Sequence, residues 1–251
     1  MKILMLLFSF ITSTAAMAQS ADYSKLSQDI LYAAKLNTST DELLGQLAKA
    51  DQQSLKGFLN TDNVAKAFWL NIYNAFVQIE LHKDVTQYQH KNKFFRKKSF
   101  AVAGRHISLD IIEHGILRRS KVKWGLGYIG KIFPSKFEKK FRVDSVDSRI
   151  HFALNCGAKS CPPILFYEPA LINHQLDMVA KNYIGNEMKF SPDSSLVYLP
   201  KTMNWFRGDF AGKSGMMKLL HRLQLIPADI SPSISFKNYN WQLSLKNYWE
   251  E

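Results

Sequence analysis

Apolar positions along the chain first recur at helical spacing. Leu26, Ile30, Ala33 and Ala34 share one face over residues 22–36, and Thr40-Asp41-Glu42 opens a shorter run through Leu43, Leu44 and Leu47. Thr61 or Asp62 is placed to cap a stronger helix over about 63–81. Its face of Phe68, Trp69, Ile72, Tyr73, Phe76 and Ile79 is too wide to leave in water. Asn71, Asn74 and Gln78 lie together on that helix at i, i+3 and i+7. Buried amides need partners, so this stripe must either pack against a loop or face a cleft.

The rhythm then shortens. Residues 100–103 and 106–108, joined through Gly104-Arg105, predict a small β-hairpin. Ser108 can cap a helix over 109–119, LDIIEHGILRR. Pro169 begins a helix through Leu171, Leu176, Val179 and Ile184. Residues 196–199 form a strand ended by Pro200, 216–225 a helix, and 236–243 a closing strand or hairpin. There is no repeat, low-complexity tract or linker. The expected fold is α+β: a mainly helical single domain with a small antiparallel sheet, its core over about 60–245.

The first 18 residues do not belong to that pattern. Lys2, the apolar run ILMLLFSFI and Ala16-Met17-Ala18 are the charged, hydrophobic and cleavage regions of a secretory signal peptide. The run is too short to span a bilayer as a helix. The expectation is cleavage near Ala18, a single domain over 19–251 without a transmembrane segment, and a periplasmic or secreted location.

Composition excludes disorder and a disulfide-dense mini-scaffold, because 46% of the 251 residues are hydrophobic and 22% charged. Charge adds more. The chain carries 33 Lys and Arg against 21 Asp and Glu, a net +12. Residues 118–142 hold nine Lys or Arg and one acid, Glu138, and HKNKFFRKK at 90–98 adds five more beside Phe94 and Phe95. Basic residues interleaved with aromatics suit anionic partners. Outside the cytoplasm these are lipid headgroups or envelope polymers, with nucleic acid ranking below them; the bland alternative is a solvated basic face.

Candidate chemistry is densest in RIHFALNCGAKSCPP, residues 149–163. As a strand or as a helix, 149–155 places His151 and Asn155 on a common face. In an oxidising compartment Cys156 and Cys161 are expected to form a disulfide that shapes one turn. If reduced, one of them is a candidate nucleophile, His151 its base, and Glu113 or Asn155 the group orienting the imidazole. Glu113 and Arg118 lie about 140° apart on an α-helix and so should each reach another segment. Asn71, Asn74 and Arg118 are the candidate binding residues. A metal set of His151, Cys156, Cys161 and Glu113 lacks the second close pair that zinc sites use. His82, His90, His106, His114, His174 and His221 show no ligand spacing, and no cofactor is expected.

Five segments occur in order: FWLNIYNAF at 68–76, LDIIEHGILR at 109–118, RIHFALNCGAKSCPP at 149–163, NWFRGDF at 204–210 and YNW at 239–241. Together they resemble a family catalogued as a domain of unknown function, numbered 547. The resemblance implies one domain across these segments and confers no activity. Bacterial members resemble exported proteins. Plant members carry an added leucine zipper, for which the residues before Lys35 show no heptads. The favoured expectation is a basic envelope module binding a peptide, glycan or anionic polymer. The alternative is a thiol-dependent, papain- or transglutaminase-like hydrolase or transferase acting on cell-wall peptide amides.

Overall fold

A computed structural model describes residues 22–190 and 195–250. The expected signal peptide and its cleavage point lie outside the described residues. Helix α1 (Tyr23–Leu36) is capped by Asp22 and α2 (Asp41–Lys49) starts at Thr40. Between α2 and the expected long helix the chain forms α3 (Gln52–Phe58), a short element that buries only Leu55. The long helix α4 (Asp62–Lys83) begins where Thr61 Oγ1 accepts the Val64 N–H. Every residue from Ala65 to Leu81 is buried, so α4 is the axis of the molecule rather than a surface helix. The amide stripe faces loops. Asn71 holds the backbone of Tyr167 through both its N–H and C=O, Asn74 spans Ala153 and Asn155, and Gln78 accepts from Lys246.

After α5 (Lys91–Arg96), strands β1 (Phe100–Val102) and β2 (Arg105–Ile107) form the expected antiparallel hairpin. Its turn is Ala103-Gly104, one residue earlier than the sequence suggests. Both residues have positive φ, 49° and 72°, as a tight primed turn requires. Residues Ile111–Leu117 then form a π-helix rather than the expected α-helix. Arg118 N–H bonds Glu113 C=O at 2.8 Å and Ser120 N–H bonds Gly115 C=O at 2.9 Å. Gly115 allows this packing, because a Cβ there would sit 2.7 Å from Glu138 Cγ of α6 (Lys136–Phe141).

Residues Ser148–Phe152 form a 3-10 helix, neither the strand nor the α-helix considered for 149–155. Helix α7 (Ile172–Glu187) starts three residues after Pro169. Strands β3 (Lys189–Phe190) and β4 (Leu196–Leu199) pair antiparallel, and β4 pairs parallel with β5 (Ser233–Phe236), so this second sheet is mixed. Between them run α8 (Lys201–Trp205) and α9 (Gly212–Arg222). The expected strand over 236–243 is displaced. β5 ends at Phe236, and the tail folds back as a strap over 157–164, with Lys159 N–H to Gln242 C=O at 2.7 Å and Ile164 N–H to Asn247 C=O at 2.7 Å.

Two apolar clusters result. The larger surrounds α4; the smaller joins α7, β4 and α9 through Val197, Met216 and Leu220. Ile150 belongs to the first and Phe152 to the second, so the 3-10 helix crosses the seam with His151 between them.

Candidate functional site

At that seam lies a cavity of about 390 Å³ whose lining includes Tyr73, Glu113, His114, His151, Cys156 and Tyr239. Trp124, Trp205, Phe206 and Trp241 supply aromatic walls, and Lys91 and Lys123 also line it. The dominant polar feature is a buried chain of charges. Asp209 Oδ2 accepts from His151 Nε2 at 2.9 Å and from Arg118 Nε at 2.6 Å. Arg118 Nη1 continues to His114 Nδ1 at 2.9 Å. The Arg118 and Asp209 side chains are fully buried.

Proton positions follow from this chain. Arginine only donates, so His114 Nδ1 accepts and its proton sits on Nε2, 3.7 Å from Asp110. Burial and the neighbouring Arg118 charge hold His114 well below the usual imidazole range, so it is neutral. The Asp209 carboxylate likewise fixes the His151 proton on Nε2, leaving the Nδ1 lone pair unpartnered among the described residues. Burial lowers His151 too, offset in part by Asp209. Asp209 itself is raised by burial, but the His151 and Arg118 bonds outweigh this and keep it below the usual carboxylate range. Phe206 stacks on the His151 ring at 4.0 Å and lies 4.4 Å from the Arg118 guanidinium, fixing both planes.

Phe206 and Asp209 come from one turn after α8. Gly208 makes its position possible: a Cβ there would meet the Gly127 backbone at 2.5 Å, and Gly208 N–H bonds Leu126 C=O at 2.8 Å. The basic loop and the Asp209 turn are thus locked backbone to backbone.

The sulfurs occupy another wall. Cys156 and Cys161, the pair expected to form a disulfide, lie side by side as free cysteines, with Sγ atoms 2.7 Å apart. Each pairs with the other thiol and with the Tyr239 hydroxyl, 3.4 Å from Cys156 and 3.2 Å from Cys161. The strap delivers Tyr239 to them. The Cys161 hydrogen bond draws the Cys156 thiol below its ordinary range, against burial and with help from Tyr239. Burial and the adjoining Cys156 push Cys161 well above it. The half-buried Cys156 sulfur is therefore the more acidic of the two and the buried Cys161 sulfur the less acidic.

Glu113 reaches α4, where the Tyr73 hydroxyl donates to it at 3.3 Å. Burial, with Asp110 nearby, raises its carboxyl to about 7. The π-helix turns Glu113, His114 and Arg118 toward one region, and such turns recur at functional sites. Glu113 and Arg118 do reach different segments, Tyr73 and Asp209.

Of the expected site residues, His151, Cys156 and Glu113 line the cavity, with Cys161 directly behind Cys156. Asn155 is separate: its amide holds Pro162 C=O and Gly157 N–H, and the partner orienting His151 is Asp209. Asn71 and Asn74 spend their amides on backbone, and Arg118 is held inside the buried charge chain. Sequence reasoning missed Asp209, Tyr239 and His114. His114 had a visible signal, four residues before Arg118 on the same helix. No group of three or more His, Cys, Asp or Glu is placed to hold a metal ion among the described residues.

No curated protein and no solved structure matches the chain. Residues 58–184, which carry Glu113, His114, Arg118, His151 and both cysteines, match the model of the family described as "Protein of unknown function, DUF547", and the chain belongs to that family.

Proposed function

We propose that the protein is a thiol-dependent acyl hydrolase or transferase, with Cys156 as nucleophile, His151 as general acid–base and Asp209 as the group that positions the imidazole. The observation carrying this reading is that one cavity is lined both by the depressed thiol of Cys156 and by His151, whose tautomer Asp209 fixes. His151 Nδ1 takes the Cys156 thiol proton as the sulfur attacks the acyl carbon, and the imidazolium passes that proton to the leaving amine or alcohol. Water or an acceptor amine, deprotonated by the same nitrogen, then releases the acyl group from the thioester and returns the thiol. Glu113, with a carboxyl titrating near neutrality, is a second proton carrier in the same space.

The aromatic wall of Trp205, Tyr239 and Trp241, with ring centroids 4.6–5.5 Å apart, supports a substrate with flat or sugar-like faces. A peptide amide of the cell wall meets that description. The leader pattern of residues 1–18 and the net +12 support work outside the cytoplasm against an anionic envelope. There the adjacent cysteines give the site an off state. A disulfide-bearing oxidant accepts two electrons, becomes a dithiol, and leaves Cys156 bonded to Cys161.

The test is a burst experiment on the reduced chain with p-nitrophenyl acetate. The expected result is a rapid release of nitrophenolate, with the acetyl group on Cys156 by peptide mass mapping, lost in Cys156→Ala and slowed in His151→Ala. Acetylation confined to lysines, or no burst, overturns the reading. The cavity is then a binding pocket, as the Trp205–Trp241 wall would equally serve.

A further inference from the structure

Large apolar side chains at the surface are concentrated in one place. Of the thirteen that are well exposed among the described residues, six lie within ten positions: Trp124, Leu126, Tyr128, Ile129, Ile132 and Phe133. Trp124 is 76% exposed, Ile132 84% and Phe133 91%. A soluble surface disperses such residues; a contiguous set marks an interface.

The segment is ordered, with hydrogen bonds along both flanks. Val122 N–H bonds Ile129 C=O at 2.9 Å, Lys131 N–H bonds Ser120 C=O at 2.7 Å, and Gly208 holds Leu126 from the core side. The apolar groups therefore point outward from a fixed finger and are not a collapsed part of the core.

Charge identifies what covers them. The flanking window 118–142 carries nine cations and one acid. Arg118 is buried against Asp209, Lys123 pairs with Asp110 at 3.1 Å and Lys131 takes the one acid, Glu138, at 2.8 Å, which leaves the others as net positive charge around the finger. Lys136 and Lys139, three and six residues beyond Phe133, are exposed and have no ion-pair partner among the described residues. A second copy would bring like charge against like charge. A soluble anionic polymer would engage the lysines and leave the isoleucine and phenylalanine in water. Apolar and aromatic tips ringed by lysines match the boundary of an anionic bilayer, where the tips enter the acyl region and the ammonium groups stay among the headgroups.

We propose that residues 122–139 form a membrane-docking finger that inserts Trp124, Ile132 and Phe133 into an anionic lipid surface. Trp124 and Leu126 also line the cavity, so docking sets its mouth against the bilayer. A substrate anchored in lipid would reach the site without crossing open water. The inference stands on the finger alone and holds whether or not Cys156 is a nucleophile.

The test is sedimentation of the full chain with phosphatidylcholine vesicles, with and without phosphatidylglycerol. Binding should require phosphatidylglycerol and weaken as salt rises. Ile132→Ser with Phe133→Ser should lower partitioning about tenfold or more, because each side chain loses its transfer into hydrocarbon. Lys136→Gln and Lys139→Gln should each lower it about fivefold, which is about 1 kcal/mol per cation near the surface. These positions are exposed, so circular dichroism should be unchanged. Insertion is read independently by brominated lipids, which should quench fluorescence in the wild type and less in Trp124→Phe. Absence of binding at low salt overturns the proposal. So does binding that ignores the Ile132 and Phe133 changes, or a dimer that the same changes dissociate.

Discussion

Removing the charge of Asp209 is the sharpest probe of the frame that holds His151. Asp209→Asn keeps the shape, and its amide oxygen can still accept from both Arg118 and His151. What it removes is the negative charge opposite a guanidinium 2.6 Å away, in a pair whose side chains have no exposure to water. Breaking a buried ion pair from one side costs about 3–5 kcal/mol, because the remaining charge has no compensation. For a chain of this size about 1 kcal/mol shifts the melting temperature by about 2–4 °C, so the variant should melt about 6–20 °C lower. Arg118→Met should cost a comparable amount. The double variant should cost much less than the sum, since it leaves no orphaned charge. Urea unfolding of the four proteins measures this coupling. The pH dependence has a fixed sign. The folded-state pKa of Asp209 is depressed, so its stabilisation is present above the ordinary carboxylate range near pH 4 and is lost as pH falls below it. Asp209→Asn should therefore flatten the acid limb of the wild-type stability curve. Additivity within about 0.5 kcal/mol, or an unchanged acid limb, would refute a buried Arg118–Asp209 pair.

Glu113 predicts the opposite slope. Its folded pKa of about 7 exceeds the ordinary 4.5, so the folded protein keeps a proton that the unfolded chain has released. Stability should fall by about 3 kcal/mol as pH rises through that window, and Glu113→Gln should abolish that decline in urea titrations at pH 5 and pH 8. Tyr239→Phe removes one donor to Cys156, and the pH midpoint of its alkylation should move upward; an unchanged midpoint would leave Cys161 as the sole stabiliser. Asn74→Ala strips Ala153 C=O and Asn155 N–H of their partners and should cost about 2–4 kcal/mol in denaturant unfolding. A loss under 1 kcal/mol would mean that water replaces the amide.

Local signals made much of the fold legible. Thr61 at the head of α4 caps as its side chain predicts, and of the two expectations for the amide stripe of Asn71, Asn74 and Gln78, a loop or a cleft, the structure shows loops. Helix α3 escaped because QQSLKGF buries a single leucine and so shows no apolar face. The π-helix escaped because nothing in LDIIEHGILRR distinguishes bonding to the fourth residue from bonding to the fifth. That choice is made by α6, whose Glu138 packs over Gly115.

The candidate site divides in the same way. His151 and the cysteines were visible because they are close in sequence. Asp209 lies 58 residues from His151, and only the fold brings them together. It sat in a segment, NWFRGDF, already singled out, but no spacing rule links it to an imidazole. Tyr239 reaches the sulfurs only because the tail reverses across 157–164, a register set by backbone hydrogen bonds and not by side-chain pattern. The exposed finger had the opposite problem: its cations were plain in the sequence, but the outward direction of Ile132 and Phe133 was not.

The central claim is that Cys156 is a nucleophile more acidic than an ordinary thiol, in a cavity it shares with His151, and the pH profile of its alkylation tests that most directly. Reduced protein is treated with iodoacetamide from pH 5 to pH 9, and the modified residue is located by mass spectrometry. The account predicts that Cys156 reacts first, with a midpoint below that of a free cysteine, that Cys161 stays protected, and that His151→Ala changes the profile of Cys156. Equal reactivity of the two sulfurs at an ordinary thiol midpoint, unaltered by His151→Ala, would contradict it.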